Sequence, residues 1–284
     1  MNWLLLFTSI ILETCKNAFS NKFSKEKLKC ASDIYKFNMI LYIGSFVFLI
    51  FCGNKDVSGY TLILALLFAF VTAAAQHYYL KALNEGSFAF TAFVQGCNLV
   101  IPTIYGAFFL GERLTFLKIC AVIILTLSTA LALDVKSEKI KTKCLIFSLF
   151  SMIFTGFVGI LQTVHQLSEH KEELIGFLFY SFLFSVVMNF ALWRIEEKKK
   201  PSELKLDKSS VTLAVFSGIF IGAVNIINLY LAGVMPKTVF YPVVNGGLII
   251  MTLLSAVIFF HERLNKKQVL GLTAGIIAMC VLSI

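Results

Sequence analysis

The stretch FTSIILETCKNAFSNKF, residues 7 to 23, places Glu13 and Lys16 within one helical turn of an otherwise apolar run. A charge at bilayer depth is costly, so such a residue pairs with a neighbour, lines a wet interior, or serves a function. Three residues apart on a helix, the two share a face and can pair. Two chemistries are open to them: a permanent ion pair that steadies the helix, or a switchable pair that carries a proton and releases it when a solute binds. A second polar group, Gln76, His77, Tyr78 and Tyr79, interrupts another apolar run, and Gln95, Asn98, Asn225, Asn228, Tyr241 and Asn245 do the same further on. Amides, phenols and an imidazole at such depth suit the wall of a solute cavity. The expected lining for substrate and coupling ion is therefore Glu13, Lys16, Gln76, His77, Tyr79, Gln95, Asn98, Asn225, Asn228, Tyr241 and Asn245.

Other chemistries are less well served. A membrane-embedded enzyme or lipid-handling protein needs paired carboxylates, or a nucleophile with its base, near one membrane face. Glu13 is the one acid well inside an apolar run. HERLN at His261 lacks the second histidine of a zinc helix, since Asn265 stands four residues on. The seven cysteines are scattered without CxxC spacing, which suits small apolar packing residues rather than metal or disulfide partners. No glycine-rich nucleotide motif is present, so no cofactor is expected and energy would come from a gradient. A channel or proton-independent facilitator remains the alternative, although a pore wants a ring of like residues.

The elements that must carry these residues follow from composition. The chain is 58% apolar and 14% charged over 284 residues, more apolar than a packed soluble domain needs. About 20 apolar residues cross the hydrocarbon core, and ten candidate spans lie near 3–20, 34–52, 61–82, 88–110, 117–134, 144–166, 174–193, 210–233, 238–260 and 267–284. The expected fold is an all-α integral membrane protein. Lacking a basic n-region and a small-residue cleavage site, the first run reads as a retained helix rather than a signal peptide. The formal charge of +9 sits mainly in loop lysines and points to anionic lipid rather than nucleic acid. The longest loop, RIEEKKKPSELKLDKSS at 194–210, reads as a solvated connector.

The two halves repeat. A shift of 150 residues lays FVQGCNLVIPTIYGAFFLGERL over VVNGGLIIMTLLSAVIFFHERL without a gap, matching Gly96 to Gly246, Gln95 to Asn245 and the Glu-Arg-Leu triplets to each other. Residues 1–135 and 144–284 then form two five-helix units. Because five is odd, they insert with opposite orientation, the inverted repeat of secondary transporters whose substrate site lies between the halves. Lysine and arginine number eighteen in the odd-numbered loops and five in the even ones. That bias puts the odd loops in the cytoplasm and both termini outside.

On these residues the chain resembles the drug/metabolite transporter superfamily and, within it, the ten-helix EamA-like branch; GERLTFLKICAVIILTLSTALAL and HERLNKKQVLGLTAGIIAMCVLSI carry the most specific likeness. LETCKNAFSNKFS is also similar to the first helix of the small multidrug resistance transporters, with Glu13 and Lys22 matching that pattern. The resemblance implies that Glu13 is a shared proton and substrate site and that Tyr241 stands where those exporters stack substrate. It implies termini in the cytoplasm, against the charge bias. Lys16 departs from the pattern, where a neutral small or hydroxyl residue is usual. The second half offers Gln162 and His165 in place of the glutamate.

Glu112 and Glu262 are expected to cap the helices that follow them, with Arg113 and Arg263 reaching headgroups. Gly246 and Gly247 suit close helix approach or local unwinding, and GIFIG from Gly218 and GLTAG from Gly271 are small-xxx-small packing faces, open to a partner copy. The expected function is gradient-driven transport of a small organic metabolite or drug-like solute across the plasma membrane, by a monomer or homodimer. Membrane lipids surround it, and protons are the candidate coupling ion.

Overall fold

A computed structural model describes residues 2–86, 88–112, 115–132, 141–202, 204, 207–260 and 266–282. Eleven α-helices follow one another: α1 (Asn2–Lys27), α2 (Ala31–Ile50), α3 (Gly59–Glu85), α4 (Phe88–Gly96), α5 (Val100–Phe109), α6 (Phe116–Ala132), α7 (Thr142–Leu167), α8 (Leu174–Lys199), α9 (Lys208–Val234), α10 (Lys237–Phe260) and α11 (Lys266–Leu282). A 3-10 turn, Cys97–Leu99, joins α4 to α5. Counting α4, the turn and α5 as one interrupted span gives ten among the described residues, five in each half. Ala31–Ile50, Gly59–Glu85, Thr142–Leu167, Lys171–Lys199 and Ser210–Val234 are long and apolar enough to cross a membrane by themselves; α4 to α6, α10 and α11 hold shorter apolar runs.

The helices form because their backbones have no better partner. In lipid every N–H and C=O must be satisfied internally, and a helix does this within one segment. Their outward faces stay apolar: Leu4, Leu66, Phe70, Phe108 and Phe116 are all more than half exposed. A water-soluble monomer rarely shows that much apolar surface, whereas lipid accepts it.

Contacts between the halves come in matched pairs. Helix α1 packs on α9 as α3 packs on α7, α2 on α9 as α3 on α8, and α1 on α10 as α4 on α7; α2 with α8 and α6 with α11 are their own counterparts. Exchanging the first span with the sixth, the second with the seventh and so on leaves this pattern unchanged, as a pseudo-twofold axis through an inverted repeat requires.

A close crossing joins α2 to α9. A Cβ on Gly218 would lie 2.0 Å from the Leu41 carbonyl oxygen and 3.0 Å from the Gly44 Cα. Ser45 Oγ donates to the Gly218 carbonyl at 2.7 Å beside it. The GIFIG face is thus occupied within the chain rather than left for a partner copy, and Gly275 of GLTAG faces Ser128 of α6 in the same way.

Three further expectations change. The span at 88–110 is interrupted rather than continuous: Pro102 has no N–H to give the Asn98 carbonyl, and the chain tightens into the 3-10 turn just before it. Residues 194–210 are not a free connector, because α8 runs to Lys199 and the loop beyond it is tied to α2. Asp33 accepts from Ser202 Oγ at 2.7 Å and from the Leu204 N–H at 3.0 Å. Glu112 caps a helix of the other half: its carboxylate accepts from the N–H groups of Lys237 and Thr238, each at 2.9 Å, at the start of α10. Gly111, with φ +66°, makes the left-handed turn that swings Glu112 there. Arg113, His261, Glu262, Arg263 and Asn265, like the loop lysines Lys136 and Lys139, lie outside the described residues.

Candidate functional site

Between the halves, at the middle of the helices, is a cavity of about 170 Å³. Its walls are helical stripes. Thr72, Ala75, Gln76 and Tyr79 come from α3; Thr155, Val158, Gly159 and Gln162 from α7; Ile221, Val224, Asn225 and Asn228 from α9. Each set runs i, i+3, i+4, i+7, one face of a helix. Helix α1 adds Glu13, Lys16 and Asn17, the interrupted span adds Gln95, Gly96, Asn98 and Pro102, and α10 adds Phe240, Tyr241, Val244, Asn245, Leu248 and Ile249. Tyr42 of α2 completes the lining.

Glycines let these helices come close enough to share one space. A Cβ on Gly96 would lie 2.3 Å from Ile249 Cδ1, and one on Gly247 would lie 2.6 Å from Ile10 Cδ1. Helix α10 stays helical through its two adjacent glycines, of which Gly247 serves close approach; the local loosening falls in the first half, at Cys97–Leu99.

Glu13 and Lys16 are paired, Nζ to Oε1 at 2.6 Å, with side chains 24% and 8% exposed. The Lys16 ammonium also lies 5.8 Å from the centre of the Tyr79 ring, within reach of a cation–π contact. Every other described lining residue is neutral, so the wall carries one carboxylate and one ammonium.

The amides are held in part by each other. Gln162 donates to Asn225 Oδ1 at 3.1 Å, Gln95 to Thr155 Oγ1 at 3.2 Å, and Ser9 Oγ to Asn228 Oδ1 at 2.6 Å. Tyr241 reaches across to α7, donating to the Gly159 carbonyl at 2.6 Å and lying 3.0 Å from Thr163 Oγ1. Its ring lines the space while its hydroxyl is committed to the helix contact. In contrast Thr72 Oγ1, Gln76 Nε2, Tyr79 OH and Gln95 Oε1 are buried without a protein hydrogen-bond partner. Buried polar groups are normally bonded, and these four atoms, although their residues line the cavity, are themselves covered in this conformation.

Of the residues expected to line such a cavity, Glu13, Lys16, Gln76, Tyr79, Gln95, Asn98, Asn225, Asn228, Tyr241 and Asn245 share this wall. His77 does not. It stacks on Tyr35 of α2, ring centres 4.5 Å apart, because one step along a helix turns a side chain about 100° away from Gln76. Thr72 and Thr155 were not among the expected lining residues, yet the i, i+3, i+4, i+7 rows that hold them are readable once one member is chosen; Asn17, also not expected, follows Glu13 at i+4, and Gln162, offered only as the counterpart of the glutamate, joins the wall. His165, which the sequence offered beside Gln162, is buried against Phe177 at 4.4 Å, away from the wall. The first half therefore contributes the charges and the second answers with amides.

The model of a family described as "EamA-like transporter family" matches the chain twice, over residues 6–133 and 142–284. Among solved structures, one described only as "Crystal structure of protein" superposes with a TM-score of 0.75 at 13% identity, covering 98% of this chain and 94% of that one. At that identity the likeness is one of fold. No curated protein matches the sequence.

Proposed function

The chain belongs to the EamA-like transporter family, and from that membership and the cavity we propose a gradient-driven carrier that moves a small organic solute by alternating access between its two halves. Members of the family are multi-pass membrane transporters of small solutes. The observation that supports the finer reading is the cavity itself: it lies mid-helix between the halves, both halves wall it, and amide side chains from both line it together with Glu13 and Lys16. Its volume is close to the roughly 150 Å³ of an engineered cavity that admits benzene, so the solute is small. Access from either face then requires the halves to rock about the contacts of α2 with α8 and α9.

The two repeats, 1–135 and 144–284, are the moving units in this reading, and the plasma membrane is the proposed location. With ten spans the odd-numbered basic loops would share one face, which the charge bias assigns to the cytoplasm. The test is a solute screen by thermal shift on purified protein, followed by counterflow in proteoliposomes. Binding stabilises in proportion to the logarithm of ligand concentration. A solute that both raises the melting temperature and exchanges across the bilayer supports a carrier. Flux that never saturates would instead favour the channel alternative.

A further inference from the structure

Away from the cavity, two lysines stand at one membrane face beside a shelf of aromatic rings. Helix α3 ends where α7 begins, with Lys141 Nζ 3.8 Å from Glu85 Oε2 across the two ends. On α3, Phe70, Tyr78 and Lys81 stand at i, i+8 and i+11. On α7, Lys143, Phe147, Phe150 and Phe154 stand at i, i+4, i+7 and i+11, so each set is one helical stripe. The stripes meet: Tyr78 stacks on Phe150 at 5.1 Å and on Phe154 at 6.0 Å, and Phe70 meets Phe154 edge-on at 6.2 Å. Phe70 and Phe150 stay 54% and 45% exposed, so the shelf faces outward from helices whose neighbouring stripes line the cavity.

Helix α3 is about 40 Å long over its 27 residues, close to the thickness of a bilayer with its headgroups. Lys81, four residues from its end, therefore stands at the boundary between headgroup and acyl chain. Its ammonium lies 5.4 Å from the centre of the Phe147 ring and 6.0 Å from that of Tyr78. Such contacts attract the charge but supply no oxygen acceptor, and among the described residues none of its three N–H groups has one. Glu196 of α8 acts on it only from beyond ion-pair distance, and is itself held by Lys199 at 2.7 Å. Lys143, one turn before Phe147, is exposed and forms no ion pair among the described residues.

We propose that this shelf holds one anionic phospholipid, its phosphate against Lys81 and Lys143 and one acyl chain along Tyr78, Phe150 and Phe154. Basic residues between spans on the cytoplasmic side favour anionic headgroups, and the charge bias assigns this face to that side. The charges also decide against a second copy of the chain. A twofold axis along the membrane normal would set the lysines of one copy against those of the other. A soluble phosphate would match the lysines but leave the rings uncovered. Because α3 belongs to the first half and α7 to the second, the lipid bridges the halves from outside. Its binding does not rest on the carrier reading.

The test uses the whole chain, stripped of lipid by detergent exchange. It is titrated with dioleoyl phosphatidylglycerol, the matching phosphatidylcholine, and glycerophosphoglycerol as the chainless headgroup. Native mass spectrometry counts bound lipid, and thermal unfolding reads its effect. Wild type should hold phosphatidylglycerol in preference to phosphatidylcholine. A lysine near the membrane surface contributes about fivefold to anionic-lipid affinity. Lys81→Gln and Lys143→Gln should each weaken phosphatidylglycerol by that factor and leave phosphatidylcholine unchanged, and the double variant should lose the preference. Lys81→Arg should keep it, and Lys171→Gln, exposed on the opposite face, should match wild type.

Equal affinity for the two lipids overturns the proposal, as does a folded Lys81→Gln or Lys143→Gln protein that keeps the wild-type preference. Glycerophosphoglycerol binding as tightly as the whole lipid would mean a soluble-phosphate site and overturn it too. So would a lipid-free dimer that Phe150→Lys dissolves, since a second copy would then cover the shelf.

Discussion

Glu112 joins the two halves at a point where its removal has a calculable cost. Its carboxylate takes the N–H groups of Lys237 and Thr238, both at 2.9 Å, and its side chain is 16% exposed, with the Lys237 ammonium 4.0 Å away. A hydrogen bond to a charged group contributes about 1.5–3 kcal/mol, and partial exposure favours the lower figure. Two such bonds put the cost of Glu112→Ala at about 3 kcal/mol, which lowers the melting temperature in detergent by about 6–9 °C. Glu112→Gln keeps one acceptor oxygen and should lose about half as much. Lys237 is buried at a helix N-terminus, where a positive charge is unfavourable. Lys237→Met should therefore cost little alone and recover about 1 kcal/mol of the Glu112→Ala loss in the double variant. Because α10 carries Tyr241 and Asn245, solute affinity should fall in step with stability. A Glu112→Ala protein that melts within about 1 °C of wild type would refute the capping argument, as would a Gln variant no better than Ala.

Other substitutions probe other parts of the frame. Gly218→Ala should destabilise by about 1–3 kcal/mol, because its Cβ would meet backbone 2.0 Å away on α2, whereas Gly59→Ala, with nothing within 4 Å, should be neutral or stabilising; paired melting curves check both. Gly111→Ala should cost about 1 kcal/mol, since φ is +66° there and an L side chain resists that conformation, and chemical denaturation in mixed micelles would measure it. Tyr241→Phe removes the bond from α10 to the Gly159 carbonyl and should cost about 0.6–1.7 kcal/mol, read by thermal unfolding. Gln95→Ala and Asn225→Ala should weaken whatever solute the screen identifies, while His77→Ala, off the wall, should leave affinity unchanged in the same binding assay.

Much of this arrangement was legible in the chain itself. Span number follows from hydropathy because lipid offers no partner for a bare backbone, so crossing length and apolar content are local properties of a segment. The pairing of Glu13 with Lys16 follows from their spacing of three on a helix. The repeat, and with it the inverted topology, is written in the 150-residue offset that brings Gln95 onto Asn245.

Tertiary structure decided what depends on distance between segments far apart in the chain. Gln76 and His77 are neighbours of similar polarity; only the packing of α3 between α2 and α7 turns one to the cavity and the other onto Tyr35. Glu112 stands four residues before α6, yet the partner it holds lies 125 residues away because the left-handed turn at Gly111 and the crossing of α5 with α10 bring the two together. The loop at 200–207 has the composition of a solvated linker, yet Asp33 of α2 offers its backbone and Ser202 better-placed oxygen acceptors than water does. Composition reports whether a group prefers water or lipid, but which partner satisfies it is set by helix rotation and crossing, quantities shared between segments and encoded in neither one alone.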